Sequence, residues 1–183
     1  MLKRYVFVCA CLLFGASNAY TQDMALGLRL GDPLGVSFKK YLKEGKNAFE
    51  AVLGTYGYMG VYRHTTLLFD GRGYYLHGDY FYRRGGVSIM ANYLWNFDFP
   101  QANELSWYLS VGGQLRSLYY YQFLVGDEQR GIGIGPTFAA GLEWKPKEIP
   151  EIGVFFDAGL YLEITPAAWA IPQIGFGARY NFK

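Results

Sequence analysis

The stretch Gly131-Ile132-Gly133-Ile134-Gly135-Pro136-Thr137-Phe138-Ala139-Ala140-Gly141-Leu142-Glu143-Trp144-Lys145 decides how this chain is read. One alternate set is Ile132, Ile134, Pro136, Phe138, Ala140, Leu142 and Trp144. The other is Gly131, Gly133, Gly135, Thr137, Ala139, Gly141, Glu143 and Lys145. Successive side chains of a strand point to opposite faces. This segment therefore has one apolar face and one face of glycine, small polar groups and single charges.

The pattern recurs on both sides. Residues 152–165 set Ile152, Val154, Phe156, Ala158, Leu160, Leu162 and Ile164 against Gly153, Phe155, Asp157, Gly159, Tyr161, Glu163 and Thr165. Leu105, Trp107, Leu109, Val111 and Leu115 oppose Ser106, Tyr108, Ser110, Gln114 and Arg116. The last segment sets Ile174, Phe176, Ala178, Tyr180 and Phe182 against Gln173, Gly175, Gly177, Arg179 and Asn181. A soluble half-buried sheet alternates as well. These segments differ in length, about ten residues or more, which is the span of a tilted transmembrane strand. Their polar face also suits a narrow interior better than open water. Trp95, Trp107, Trp144 and Tyr180 fall near segment ends, where an aromatic girdle belongs.

Eight strands are predicted, near 24–31, 35–43, 47–56, 87–98, 105–118, 131–145, 151–165 and 172–182. The fold class is all-β, an antiparallel up-and-down transmembrane β-barrel. Short turns at 43–46, 98–104 and 146–150 are assigned to the periplasmic end. The opposite end carries 31–34, the long segment 57–86, 119–130 and 166–171. An alternative places an extra hairpin around Asp70-Gly71 within 57–86, giving ten strands.

Composition agrees. Of 183 residues, 51% are hydrophobic and 19% aromatic, 24 are Gly, and only 17% are charged, which excludes disorder, collagen and a coiled coil. Residues 1–19 read as a secretory signal peptide: Lys3 and Arg4, an apolar run over 6–16, then the small exit Ser17-Asn18-Ala19. Residues 20–183 are the barrel domain. Cys9 and Cys11 both lie in the leader, so the mature chain has no disulfide, thiolate metal site or cysteine nucleophile. Loss of Lys3 and Arg4 takes the net charge from +2 to zero, which argues against a nucleic-acid partner. The longest uncharged stretch after residue 19 is 164–178, and it contains Pro166 and Pro172, so no membrane-spanning helix is expected.

The C-terminal Gly175-Phe176-Gly177-Ala178-Arg179-Tyr180-Asn181-Phe182 completes the picture. With it, residues 24–182 resemble the small outer-membrane β-barrel proteins of Gram-negative cells, similar to the eight-stranded outer membrane protein A type barrel. The resemblance implies insertion by the barrel-assembly machinery, which reads a terminal strand such as Phe176, Tyr180 and Phe182. It also implies outer-membrane lipid, including lipopolysaccharide, as surroundings. Here Lys183 follows the terminal aromatic.

With the apolar set facing lipid, Arg29, Lys39, Arg116, Lys145 and Arg179 face inward, as do Glu50, Asp98, Glu143, Asp157 and Glu163. Buried charges must pair and hydrogen-bond. An eight-stranded barrel is just wide enough for side chains to fill it. A plugged, salt-bridged interior follows; the competing reading is a narrow gated channel whose ion pairs rearrange.

No catalytic, cofactor or metal residues are assigned. Glu143, Asp157 and Glu163 could be acid–base carboxylates, but the interior network accounts for them. His64 and His77, with Asp70 and Asp79, match no ligand spacing. The Gly131/Gly133/Gly135 series lacks the helix a phosphate-binding loop requires and is read as relief of interior crowding. The candidate binding surface is in 57–86: Tyr62, Arg63, Arg72, Tyr74, Tyr75, Tyr80, Tyr82, Arg83 and Arg84. Tyr and Arg are common binding hot spots, and Arg suits phosphate. The predicted function is a non-enzymatic barrel that supports the envelope or binds a partner there. The alternatives are a barrel-embedded lipid-modifying enzyme and a soluble secreted barrel with an apolar ligand in its lumen.

Overall fold

The computed structural model describes residues 24–42, 45–56, 63–69, 74–82, 86–122, 127–165 and 169–182. The elements are β1 (Met24–Gly31), β2 (Leu34–Leu42), β3 (Asn47–Tyr56), β4 (Arg63–Phe69), β5 (Tyr74–Tyr82), β6 (Gly86–Phe99), β7 (Ala102–Gln122), β8 (Asp127–Trp144), β9 (Ile152–Glu163) and β10 (Trp169–Phe182). Eight of them form a closed antiparallel wall in the order β7-β6-β3-β2-β1-β10-β9-β8, with β7–β8 pairing completing the ring. The first and last strands, β1 and β10, pair with each other from Met24↔Phe182 to Gly31↔Gly175. Closure removes sheet edges from the wall.

The long segment does contain a hairpin, β4–β5, but it does not widen the barrel. β5 pairs only with the far end of β7, Tyr80–Tyr82 against Tyr120–Gln122. The wall therefore has eight strands, and the hairpin is an arm hydrogen-bonded to one rim. Most of the expected loop at 119–130 is also strand. The β7–β8 ladder continues to Gln122↔Asp127, beyond the predicted ends at 118 and 131. Tyr119, Tyr120 and Tyr121 are good strand formers, and β5 gives this ladder a further neighbour.

Faces follow the pleat. In β9 exposed and buried positions alternate almost without a break from Ile152 to Glu163. The exposed set is the apolar one: Phe156 is 50%, Ile132 68% and Leu28 64% exposed, while Arg179, Lys39 and Glu143 are at 2% or below. This is the reverse of a soluble barrel, whose apolar set would line the lumen. Turns follow local chemistry. Gly31 (φ 119°) and Gly45 (φ 89°) adopt the left-handed conformation that glycine tolerates best, each beside a tight reversal.

Candidate functional site

The described barrel presents two contrasting surfaces, an apolar outer wall and a polar lumen. On the wall, Leu26, Leu28 and Leu30 of β1, Val36 and Phe38 of β2, and Ile174, Phe176, Tyr180 and Phe182 of β10 are all exposed. Corresponding apolar rows run on β6 to β9. Toward the end bearing the short turns, aromatic rings collect outside. Phe97 and Trp107 stack at 4.3 Å, Tyr93 meets Trp95 edge-on at 5.1 Å, and Tyr180 meets Phe182 at 5.4 Å. At this rim the Trp144 indole donates to Glu104 at 3.3 Å, and Lys147 lies 3.1 Å from the same carboxylate. Lys147 and then Trp144 hold the Glu104 carboxyl below its usual range.

Inside, charged side chains reach across the barrel. Lys39 on β2 donates to Glu143 on β8 at 2.5 Å, and the Tyr41 hydroxyl donates to the other oxygen of Glu143 at 2.8 Å. Lys145 lies 4.0 Å from Glu143, and its side chain is 37% exposed at the mouth. Arg29 on β1 grips Asp157 on β9 through two bonds of 2.5 and 2.7 Å, and Tyr108 adds a third donor at 3.1 Å. Arg179 on β10 pairs with Glu50 on β3 and donates to Ser37 at 3.1 Å. Toward the other end Arg116 pairs with Asp32 at 3.3 Å and lies over the rings of Tyr161 (4.3 Å) and Tyr56 (4.8 Å). An uncharged belt lies between: Gln173 donates to Gln114, Gln114 to Ser88, and Thr137 to Asn92.

Such pairing is what a dry interior demands, because each charge removed from water must be compensated. A cavity of about 10 Å³, room for about one water, lies among Arg29, Glu50, Asn92, Tyr108, Asp157 and Gln173. Inward glycines make room for the large groups. A β-carbon at Gly141 would strike the Tyr108 ring, and one at Gly133 would lie 2.5 Å from Glu163 Oε2.

Of the ten charges expected inside, Arg29, Lys39, Glu50, Arg116, Glu143, Asp157, Glu163 and Arg179 are buried there. Asp98 is not. It is exposed at the short-turn end of β6, opposite Ser106, next to a register shift between Asp98 and Phe99. Inward parity there faces the open mouth rather than the lumen. Asp32, placed by sequence in a rim turn, is 3% exposed and takes the role of inner carboxylate. Its signal was the Asp-Pro of a turn too short to leave the barrel, beside the inward Gly31. The hydroxyl partners Ser37, Tyr41 and Tyr108 were equally missed, since polarity on an inward face does not say which carboxylate a group will meet.

Of the candidate binding residues, Arg63 lies in β4, and Tyr74, Tyr75, Tyr80 and Tyr82 lie in β5. Tyr62, Arg72, Arg83 and Arg84, and the segment 1–19, lie outside the described residues. Among the described residues, no group of three or more His, Cys, Asp and Glu is placed to hold a metal.

Comparison with known proteins now bears on this geometry. The chain is similar to the N-terminal β-barrel domain of Pseudomonas aeruginosa OprF, with 13% identity over 87% of this chain and 96% of that one, at a TM-score of 0.57. The fold is that of the small outer-membrane barrels. It is also similar to Neisserial surface protein A, with 15% identity over 87% and 94% of the two chains, at a TM-score of 0.50. No family model and no curated protein matches the sequence. At this identity the likeness carries the architecture of the barrel wall and nothing about its arm.

Proposed function

We propose that this protein is a non-enzymatic component of the Gram-negative outer membrane, inserted after removal of residues 1–19. In this reading its closed barrel is an anchor, and the arm built on 57–86 engages an envelope or extracellular partner. The observation that carries the reading is the inversion of the wall. The large apolar side chains of eight strands face outward, while Arg29, Lys39, Glu50, Glu143, Asp157 and Arg179 are shut inside. A continuous apolar belt of this extent is incompatible with an aqueous exterior and matches the lipid-facing surface of a membrane barrel.

The filled lumen favours an anchor over a pore, because lumens that conduct solutes freely are built from about twice as many strands. The carboxylates Glu143 and Asp157 are engaged by cations and tyrosine hydroxyls, which ties them to structure rather than to proton transfer. The arm places Arg63 and a Tyr-rich strand beyond the wall. Arg beside Tyr suits the phosphates and sugars of a lipopolysaccharide headgroup or a protein surface.

Fractionation tests the proposal. The mature protein is expected in the outer-membrane fraction and to migrate faster on gels before heating than after. Recovery in the periplasm, with mobility independent of heating, would overturn it. Lipid analysis of a deletion strain gives the second arm: an unchanged lipid A profile is expected, and a missing modification would make the barrel an enzyme.

A further inference from the structure

The pairing of β1 with β10 is the seam at which the sheet becomes a cylinder. Two arginines lie on its inner face, Arg29 on β1 and Arg179 on β10, and each crosses the strand opposite it. Arg179 passes over β1 to reach Ser37 on β2 at 3.1 Å and Glu50 on β3. Arg29 passes over β10 to reach Asp157 on β9, at 2.5 and 2.7 Å. The crossings are reciprocal, one in each direction.

Glycine lies on both paths. The seam partner of Arg179 is Gly27, where a β-carbon would meet the β10 backbone, Ala178 O at 2.1 Å and Arg179 Cα at 2.7 Å, as well as Arg179 Cγ at 2.7 Å. The β10 residue opposite Asp157 is Gly175, where a β-carbon would collide with the Arg29 guanidinium. One ring supports both cations: Phe155 on β9 lies 3.6 Å from Arg179 and 6.0 Å from Arg29. The inward Gly175 of β10 is therefore a channel for the long Arg29 side chain.

We infer that Arg29 and Arg179 form a reciprocal latch that drives and secures closure of the β1–β10 seam during folding. While the seam is open, Arg179 is separated from Glu50 and Arg29 from Asp157. Both short pairs are then unmade, and Arg179 keeps only Glu143, 3.9 Å away, on its own side of the seam. Zipping the seam makes both pairs together, so charge pairing and ring closure become one event. Because an unpaired charge is costly in an apolar surrounding, a partly closed barrel is disfavoured on both sides of the seam.

The test compares two strand pairs in one folding reaction. In a chain with Cys9 and Cys11 changed to serine, cysteines at Leu28 and Ala178 face each other across the seam. A second chain carries them at Leu142 and Phe156, across β8–β9. Each is folded from urea into phosphatidylcholine vesicles, and disulfide formation is followed by oxidant pulses. The latch is removed without stranding a charge by Arg29→Met with Asp157→Asn, or by Arg179→Met with Glu50→Gln. Seam crosslinking should slow by about tenfold or more, while β8–β9 crosslinking is little changed, because only the seam depends on these pairs. Gly175→Leu, which blocks the Arg29 crossing and keeps the charges, should reproduce the defect. Thr137→Val with Asn92→Ala breaks a buried polar pair between β8 and β6, away from both crossings, and should leave the ratio of the two rates as it was. Equal slowing at both positions, or a seam that closes at the parent rate without either arginine pair, would overturn the latch.

Discussion

Lys39 and Glu143 meet at 2.5 Å although their strands, β2 and β8, are not neighbours in the wall. The bond spans the lumen, and Glu143 also receives Tyr41 and lies 3.9 Å from Arg179. One carboxylate thus ties together β2, β8 and β10. Glu143→Ala should therefore destabilise the folded barrel by about 3–5 kcal/mol, because buried cations lose their counter-charge. The paired change Lys39→Met with Glu143→Gln should cost markedly less. Urea unfolding in lipid vesicles measures both; equal losses would mean that the pair itself, rather than the stranded charge, sets the cost.

The outer wall makes a separate prediction. Phe156 is half exposed near the middle of β9 and is flanked in register by Phe176 and Leu142. Phe156→Arg puts a cation into the lipid belt and should cost about 2–4 kcal/mol. Phe156→Leu should cost little. Folding yield in bilayers that is indifferent to the arginine would reject the lipid-facing assignment.

Charge pairs cross the described lumen from Lys39 to Glu143 and from Arg29 to Asp157. Purified protein in planar bilayers should show no large, steady conductance. Stable porin-like steps would show instead that the Arg29–Asp157 and Gln114–Gln173 layers open under voltage.

Gly71 and Gly45 are assigned to opposite ends of the barrel. An epitope inserted after Gly71, between β4 and β5 in the sequence, should be tolerated and labelled by antibody on intact cells. The same insertion after Gly45, in the short turn before β3, should be labelled only once the outer membrane is opened. Reversed labelling would put the arm in the periplasm and remove its candidacy as an external binding surface.

Much of the wall was legible because strand periodicity is strict. A residue such as Asp157 or Arg179 can have only one parity, and lipid fixes which parity is apolar. What parity cannot give is depth. Asp98 has the parity of an inner residue, yet it lies where the lumen opens to solvent. Nor does parity say how far a long side chain travels. Gly175 on β10 clears the path of Arg29 from the neighbouring strand, a fit that alternation alone does not specify. The arm was visible only as a turn signal at Asp70-Gly71. Its attachment to β7 depends on pairing between distant segments, Tyr80–Tyr82 with Tyr120–Gln122, for which the local sequence holds no code.

Three of the four tryptophans, Trp95, Trp107 and Trp144, stand at the short-turn rim, while Trp169 begins β10 at the opposite end. Intrinsic fluorescence is therefore weighted toward one leaflet. Lipids carrying quenchers at graded depths should see mainly the trio during insertion. If the arm end crosses the bilayer first, that trio stays near the entry surface throughout, and its emission reports arrival at the membrane before it reports completion of the barrel. Direction of insertion then becomes readable from the native chromophores, with no label added.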